Sequence, residues 1–457
     1  MARFGFLCAT SLLTFPLVGC ASERPGQRGR APRPGVQGDP SLREAAADPT
    51  GPSQPSSLLR RRDLGLDDLL RAAAELNPKI AAAREELGAA AGRTDQSRLY
   101  PNPALVLEAE EIPARDVGLG RGKGTIGLSQ PLILGSRRRE SVSAASAEEQ
   151  VRLFRLEATQ RAVLGDVRTA FGDALSLRDS ALAHQELLVV ARRTLEIARA
   201  RFEARAVPEA EVIRAELEVH ELELRLRRLG EERAALTARI RSLLGGVEIG
   251  LEQIGGEPLA DPPAIDLEQL RQAVRERNPE LAAARAEIEA ADLRISAAQA
   301  ERIPDVDLLL AFGQDAADED IYEAGMRIPL PVFDRNQGRI REARHLAVKA
   351  RRSADALTGD LEADLDEAFA AYSAARDEVR TFRERIVPAT ERSLAQVRES
   401  YEAGRTDLLN LLDAQRSNAR ARLSLVQSLR DASHAEARMW KLADIDHPAP
   451  STEGERP

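Results

Sequence analysis

The fold is decided by two short runs, DVDLLLAFG at residues 305–313 and YEAGMRIPL at residues 322–330. Apolar side chains alternate with polar or small ones along much of both runs, which is the two-residue period of a β-strand. About nine alternating residues suit a strand that crosses a membrane with one face towards lipid and the other towards water. The pattern therefore predicts strands at about 305–313 and 322–331, which either enter a membrane or form a small soluble hairpin.

A second and less regular hairpin is predicted earlier in the chain, with strands at about 103–111 and 123–132. Its first strand alternates Leu105, Leu107 and Ala109 with Val106, Glu108 and Glu110. Four strands cannot close a barrel, and an open edge in lipid would leave backbone groups unpaired at several kcal/mol each. If the strands lie in a membrane, several chains must combine them. Three chains would supply twelve strands, an even number within the range of outer-membrane barrels.

The chain repeats one unit twice. Asn77-Pro78 and Asn278-Pro279 open similar alanine-rich stretches 201 residues apart, and Phe202 and Tyr401 begin similar tripeptides 199 residues apart. Two tandem copies at nearly constant spacing indicate a duplicated structural unit. Each copy is predicted to form a helix, a hairpin, a very long helix, a turn and a further helix. The predicted helices cover about 66–99, 139–203, 209–244, 266–302, 339–403 and 408–442.

Each very long helix carries a heptad pattern of apolar residues. In the first copy the pattern is Val163, Val167, Ala170, Ala174, Leu177, Ala181, His184, Leu188, Ala191, Leu195, Ala198 and Phe202. In the second it is Ile340, Ala343, Ala347, Ala350, Ala354, Leu357, Leu361, Asp364, Ala368, Ala371 and Ala375. Spacing of 3.5 residues over many heptads predicts supercoiled helices with knobs-into-holes contacts.

The helix predicted at 209–244 has two apolar seams. The first runs through Val212, Ala215, Val219, Leu222, Leu226, Leu229, Leu236, Ile240 and Leu243. Ile213, Leu217 and Leu224 begin a second seam beside it. Two seams predict a neighbour on each flank, as in a wall of helices. A plain antiparallel coiled coil is the alternative that periodicity alone leaves open.

The N-terminus is typical of a secreted bacterial lipoprotein. An apolar run from Phe4 to Val18 follows Arg3 and ends at Gly19-Cys20, which resembles a lipobox. Cys20 is therefore the predicted lipidation site, and an ordinary secretory signal with a chance cysteine is the alternative. We expect a signal peptide at 1–19, followed by a lipid anchor and a flexible proline-rich tether at 20–62. The first repeat is expected at 63–250, a linker at 251–265, the second repeat at 266–443 and a disordered tail at 444–457.

Composition excludes several classes of function. Charged residues make up 30% of the 457, aromatic residues 3%, and the formal net charge is −9. A mildly acidic chain without a basic tract argues against a nucleic-acid partner. Two cysteines and five scattered histidines give no ligand spacing for a metal. The loop 118–124 is rich in glycine but lacks the spacing of a phosphate-binding loop, and no catalytic triad is recognisable. We expect no catalysis, no cofactor and no bound metal.

Several motifs resemble those of the TolC-like outer membrane efflux family. They are the doubled Asn-Pro, Gln130 to Gly135, Pro329 to Gly338, Tyr401 to Gly404 and Leu411 to Ala414. The run Phe333 to Gly338 is most similar to the CzcC-like and CusC-like branch, which serves heavy-metal cation exporters. The resemblance covers residues from about 63 to 443. It implies a mainly α protein with a small membrane β part, in which a trimeric α-barrel of long antiparallel coiled-coil helices continues into a shared 12-stranded β-barrel.

The resemblance also implies partners and a location. The homotrimer would sit in outer membrane lipid, with its α-helical tunnel in the periplasm. It would receive substrate from an inner-membrane efflux pump, of the RND type, through a periplasmic membrane-fusion adaptor. Substrate could be a heavy-metal cation, a drug or a polypeptide. A lipid-anchored periplasmic coiled-coil scaffold without a pore is the alternative function.

Two groups of residues acquire roles through the resemblance. The turns that would meet the adaptor are Arg205, Ala206, Val207 and Pro208, with Gly404, Arg405, Thr406 and Asp407. Relatives narrow the tunnel entrance with two acidic positions, which map here onto Asn410 and Asp413. The first acid is missing, so we expect a single anionic ring, weaker cation affinity and easier opening. Ordinary helix caps, and an Asp413 on a solvated helix face, are the alternatives.

Overall fold

The computed structural model describes residues 63–110, 123–256, 262–315, 317 and 319–443. The elements of the first copy are α1 (Leu66–Leu76), α2 (Pro78–Arg98), β1 (Ala104–Glu110), β2 (Lys123–Leu132), α3 (Arg137–Glu203) and α4 (Glu209–Leu243). A short 3₁₀ turn, Leu251–Gln253, follows. The elements of the second copy are α5 (Leu267–Arg277), α6 (Pro279–Ala300), β3 (Val306–Gln314), β4 (Asp320–Arg327), α7 (Gln337–Thr381), α8 (Val387–Glu402) and α9 (Leu408–Ala443).

The predicted order of helices and strands is confirmed in both copies, but three boundaries differ. The helix predicted at 66–99 breaks at Asn77, and the one at 266–302 breaks at Asn278. The strand predicted to reach 331 ends at Arg327, because Pro329 and Pro331 have no N–H to donate to a ladder. These differences leave the hairpins and the long helices where the sequence predicts them.

A fourth difference is a π-helical turn, Phe382–Ile386, between α7 and α8. Here the Val387 N–H donates to the carbonyl of Phe382, five residues back. Pro388 explains the interruption, since it has no N–H and its ring would collide with the carbonyl of Glu384 in a regular helix. In the first copy α3 is continuous over 67 residues, about 100 Å.

The helices form a layer in which α3 runs the full length. In the half next to the sheet, α3 packs between α2 and α6, and α6 packs against α7. In the other half, α3 packs between α4 and α9, and α9 packs against α7 and α8. Because α3 packs with α2 in one half and α4 in the other, these two form one edge of the layer, and α7 and α8 form the opposite edge.

The two Asn-Pro motifs join helices of the two halves. Asn77 is buried; its Oδ1 accepts from the Lys79 N–H at 2.9 Å, and its Nδ2 donates to the Leu243 carbonyl at 2.9 Å. Asn278 makes the equivalent contacts in the second copy, and its Nδ2 donates to the Leu442 carbonyl at 3.0 Å. Each asparagine therefore caps the helix that follows it and also satisfies a carbonyl at the end of α4 or α9.

The heptad predictions hold for most of α3 and need correction in α7. Val163, Val167, Ala170 and Ala174 are buried in α3, although Phe202 is exposed. In α7, Asp364 and Ala371 are exposed, whereas the adjacent residues Leu365 and Tyr372 are buried. The seam there runs through Leu361, Leu365, Ala368, Tyr372, Ala375 and Val379. Two successive steps of four residues, 357 to 361 to 365, shift the seam and keep a carboxylate out of it.

The second seam of α4 finds no neighbour in the described part of the chain. Ile213, Leu217 and Leu224 are each about half exposed, whereas Ala215, Val219 and Leu229 of the first seam are buried. Because α4 lies at the edge of the layer, the apolar stripe formed by Ile213, Leu217 and Leu224 is left uncovered at that edge.

Candidate functional site

The sheet has one apolar face. Its order is β1-β2-β3-β4, and all three pairs are antiparallel. One row across the four strands is Leu107, Ile126, Phe312 and Tyr322, and the next is Leu105, Leu128, Leu310 and Ala324. The rings of Phe312 and Tyr322 lie 5.2 Å apart. These rows are exposed for the most part, so the sheet presents an apolar outer face that packs against no helix of the described chain.

The opposite, inner face of the sheet carries most of its polar side chains, together with Val106, Leu309 and Ile321. It carries Glu108, Glu110, Lys123, Thr125, Ser129, Asp307, Glu323 and Arg327. Lys123 pairs with Glu110 of β1 at 3.3 Å and also with Glu323 of β4. The alternation predicted from the sequence is therefore confirmed in both hairpins: the outer face is mainly apolar, and most charged side chains of the sheet lie on the inner face.

Two glycines lie on the inner face where β2 and β3 approach closely. A Cβ on Gly127 would lie 2.6 Å from the Cβ of Ala311, and a Cβ on Gly313 would lie 2.0 Å from the carbonyl oxygen of Gly124. Glycine inside a strand often marks a place where another backbone approaches closely. Glycine at these two positions therefore lets β2 and β3 approach closely on the inner face.

The helices α2, α3, α6 and α7 together line a cavity of about 1,010 Å³. An alternating chain of ion pairs crosses it, in the order Glu86, Arg152, Glu148, Arg294, Glu287 and Arg155. The Arg294–Glu287 pair, at 2.9 Å, lies within α6, and the Arg155–Glu287 pair, at 3.2 Å, joins α3 to α6. Side chains from four helices can line one cavity only on the concave side of the layer. The concave surface in this half of the layer therefore carries a network of charged side chains.

The two hairpin turns at the far end of the helices share one backbone motif. After α3, the Arg205 N–H donates to the Phe202 carbonyl and the Ala206 N–H to the Arg201 carbonyl, both at 2.8 Å. After α8, Gly404 and Arg405 make the equivalent bonds to Tyr401 and Ser400. This is the Schellman motif, whose central residue adopts a left-handed conformation. Gly404 has φ 69° and Arg205 has φ 58°, so the first copy uses a non-glycine residue where glycine is favoured.

The start of the helix after each turn also follows the sequence pattern. Asp407 caps α9, because its Oδ1 accepts from the Asn410 N–H at 3.0 Å. Pro208 precedes α4 in an extended conformation. All eight residues predicted for the tip, Arg205, Ala206, Val207, Pro208, Gly404, Arg405, Thr406 and Asp407, thus lie in these two turns.

The two predicted gate residues, Asn410 and Asp413, lie in the first two turns of α9 and are exposed. The Asn410 Nδ2 donates to the Thr406 Oγ1 at 3.0 Å, so this side chain is engaged in the turn. Asp413 makes no ion pair within 4.0 Å in the part of the chain that the structure describes, although its charge contributes to raising the pKa of Arg416. The largest contribution to that raised pKa is the hydrogen bond from Arg416 to Glu218 of α4.

Sequence reasoning missed a polar cluster around Asp173 in the middle of α3. The Asp173 carboxylate contacts Arg430 Nε at 2.8 Å and His434 Nε2 at 2.8 Å on α9, and Arg239 Nη1 at 3.1 Å on α4. Burial opposes ionisation of Asp173, but the hydrogen bonds and charges of His434 and Arg430 outweigh it and lower the pKa. No spacing could reveal the cluster, because its members come from three helices.

Further observations concern His184, metal ligands and the segments outside the two repeats. His184 lies buried in the seam with its Nδ1 against the Ser180 carbonyl at 2.7 Å, as expected for a packed polar residue. Within the described ranges, no three His, Cys, Asp or Glu side chains cluster in a way that could hold a metal ion. No helix in those ranges is both long and apolar enough to cross a membrane. Cys20, the signal peptide, the tether, the tail and most of the loop 118–124 lie outside the described residues.

Comparison with known proteins supplies the relatives of this chain. The family described as "Outer membrane efflux protein" matches residues 69–246 and 270–443. The cobalt-zinc-cadmium resistance protein CzcC of Cupriavidus metallidurans is 28% identical over 369 residues, covering 79% of this chain and 85% of that protein. The outer membrane efflux protein BepC of Brucella suis is 23% identical over 339 residues, covering 70% of this chain and 71% of that protein.

Solved structures share the fold at lower identity. The CusC channel matches with a TM-score of 0.71 and 15% identity, covering 83% of this chain and 92% of that one. The outer membrane protein VceC of Vibrio cholerae matches with a TM-score of 0.68 and 19% identity, covering 83% of this chain and 96% of that one. Both family matches fall on the two copies of the repeat, and together they cover most of the sequence. The chain belongs to the outer membrane efflux protein family.

Proposed function

We propose that this protein is the outer-membrane conduit of a tripartite efflux system and works as a homotrimer. One observation carries the proposal: a sheet with an apolar outer face ends on both sides in unpaired strands, β1 and β4. In lipid these edges must be paired, and the β1 edge of a second copy is the natural partner for β4. Three copies would then close a barrel of twelve strands.

The helical layer supports closure by the same three-fold arrangement. Its edges are α4 on one side and α7 with α8 on the other, in the same order as the edges of the sheet. The exposed seam through Ile213, Leu217 and Leu224 would be covered by α7 or α8 of the next copy. The charged concave surface would then enclose a continuous passage that substrate crosses passively, without catalysis or a cofactor.

One relative supports the proposed substrate, and the family resemblance supports the proposed partners. CzcC is named for resistance to cobalt, zinc and cadmium, and it matches most of both chains. We therefore propose heavy-metal cations as the substrate, delivered by an RND-type inner-membrane pump through a periplasmic adaptor. The turns at 205–208 and 404–407 would contact the adaptor, and three Asp413 carboxylates would form the entrance ring. The lipid on Cys20 would add an anchor to the outer membrane.

The test of the conduit is direct. The purified protein should have the mass of a trimer in detergent and should form pores in planar bilayers. A Cys20→Ala form should still resist carbonate extraction from outer membranes, because the barrel would hold it there. A scaffold held only by its lipid would wash off in that assay and would conduct nothing.

The substrate is tested in cells. A deletion strain should lose resistance to zinc, cobalt or cadmium, and the wild-type gene should restore it. Lipophilic drugs serve as the matched challenge. Greater sensitivity to drugs with unchanged sensitivity to metals would leave the conduit intact and overturn the metal assignment.

A further inference from the structure

A rim of residues joins the sheet to the helices at one end of the layer. It consists of residues 99–103, 133–136, 301–305 and 328–336, together with the first turns of α3 and α7. The internal repeat places corresponding segments at the same level, because α2 and α6 both end there and α3 and α7 both begin there. The rim therefore runs across the end of the helical layer, at the level where the apolar outer face of the sheet stops.

Large apolar side chains of the rim are exposed. The side chains of Tyr100 and Phe333 are 68% and 92% exposed, and Leu330 is 79% exposed. Ile303, Leu134 and Ile328 are also exposed. These residues lie just beyond the ends of the strands, next to the apolar outer face of the sheet in the chain. Aromatic and aliphatic side chains in this position are typical of the zone between hydrocarbon and water.

Three rim arginines have no carboxylate partner among the described residues. Arg138 lies over the ring of Tyr100, 4.1 Å from its centroid, and forms no ion pair there. Arg302 precedes the exposed Ile303, and Arg335 follows Phe333 by two residues, with its Nε donating only to the Pro331 carbonyl. Other rim arginines are neutralised: Arg137 pairs with Asp305 at 2.6 Å and Arg339 with Glu301 at 3.3 Å. Arg138 thus lies against an exposed aromatic ring, and Arg302 and Arg335 are one and two residues from an exposed apolar side chain in the sequence.

We propose that the rim binds anionic phospholipid headgroups through Arg138, Arg302 and Arg335. A guanidinium matches the geometry of a phosphate and forms charge-assisted hydrogen bonds with it. The neighbouring Tyr100, Ile303 and Phe333 would enter the acyl boundary while the arginine stems extend to the phosphates. A surface of this chemistry attracts anionic lipid more than zwitterionic lipid.

This inference rests on the proposed function, because the outer face of the sheet must lie in lipid for the rim to reach headgroups. In that arrangement the helices project from the rim into the periplasm. The headgroups at this level are then those of the inner leaflet of the outer membrane. Closure of the trimer would bring Phe333 and Arg335 of one copy towards Tyr100 and Arg138 of the next, since they lie at opposite edges.

The test compares the trimer in nanodiscs of phosphatidylcholine with the trimer in discs that also contain phosphatidylglycerol. Anionic lipid should raise the melting temperature by about 2 °C or more, and high salt should reduce the shift. The Arg138→Gln, Arg302→Gln, Arg335→Gln triple variant should lose at least half of it. A control triple variant, Arg228→Gln, Arg398→Gln, Arg420→Gln, changes three exposed arginines of the far half and should keep the shift.

The outcomes separate this inference from the proposed function. The headgroup site is supported if both triple variants form pores and only the rim variant loses the rise in melting temperature with anionic lipid. If the wild type and both triple variants form pores and show the same rise in melting temperature, the headgroup site is wrong and the proposed conduit still stands. Inorganic phosphate added to phosphatidylcholine discs should give no shift, and an equal shift there would reassign the arginines to free phosphate. If the wild type forms no pore, the conduit itself fails.

Discussion

At the scale of the residue, the two copies differ in backbone strain at Arg205. It occupies the left-handed position of its turn at φ 58°, where Gly404 stands in the second copy. An L-residue there costs about 1–2 kcal/mol relative to glycine. The replacement of Gly404 by Arg205 is visible in the aligned repeats, so this strained position was predictable from sequence.

We expect Arg205→Gly to stabilise the first turn by about 1 kcal/mol. Hydrogen exchange at the amides of Arg205 and Ala206, which donate to Phe202 and Arg201, should slow about fivefold. Gly404→Ala is the matched control and should speed exchange at the equivalent amides of the second turn. Equal exchange in both variants and the wild type would contradict the strain at these positions.

Asp173 makes stability depend on acid in a defined direction. Its pKa is lowered in the folded protein from the usual 3.8 by His434 and Arg430, against the effect of burial. A lowered pKa stabilises the fold above about pH 4, and this stabilisation is lost as the pH falls through the folded value. Asp173→Asn should therefore lower the melting temperature at pH 7, and its difference from wild type should shrink below pH 4. The control is Asp95→Asn, which removes an exposed ion pair with Arg98 and should leave the melting temperature close to that of the wild type at any pH. If the melting temperature of Asp173→Asn differed from that of the wild type by the same amount at every pH, the assigned role of the lowered pKa would be wrong.

At the scale of the element, the π turn between α7 and α8 is caused by one residue. The position in the first copy that corresponds to Pro388 is Val189, 199 residues earlier. The helix α3 continues through Val189 without a break, so we attribute the separation of α7 from α8 to Pro388. Pro388→Ala should restore a regular helix and increase hydrogen-exchange protection over residues 382–388. Val189→Pro is the converse change and should destabilise α3 by about 3 kcal/mol or more. A π turn that persists in a crystal structure of Pro388→Ala would refute this cause.

Periodicity predicts elements well and their contacts less well. The alternation in the hairpins and the heptads of α3 placed these elements to within a few residues, because each pattern is local. The seam of α7 was displaced at Asp364 and Ala371, since two frames share Ala368 and Ala375 and only packing chooses between them. The Asn-Pro motifs predicted helix starts, but the bonds to Leu243 and Leu442 cross more than 160 residues and leave no local pattern.

At the scale of the whole molecule, the fold class and family inferred from the sequence are confirmed by the family match and by the solved structures. The adaptor turns and the gate stay predictions, because a single chain contains neither partner nor ring. The sequence pattern did anticipate the need for other copies, since four strands with an apolar outer face cannot close alone.

The proposed entrance ring is a property of three chains together. Asp413→Ala should weaken block of single channels by multivalent cations, so that about fivefold more cation is needed for half block. Asn410→Ala is the control and should leave block nearly unchanged, because its side chain bonds to Thr406. An unchanged block profile in Asp413→Ala would remove this residue from the gate.

The central claim is that β1 of one copy meets β4 of another, and cross-linking measures it most directly. Ala109→Cys and Ala324→Cys, combined in a Cys8→Ala, Cys20→Ala background, place the only two thiols of the chain on the two edge strands. The bismaleimide should be shorter than the roughly 14 Å between β1 and β4 of one copy, so that it cannot join two thiols of the same copy. In membranes it should produce dimers and trimers and nothing larger. Each single-cysteine variant should stay monomeric on a denaturing gel. Monomers alone from the double variant, or a ladder that continues beyond three, would contradict a closed ring of three copies.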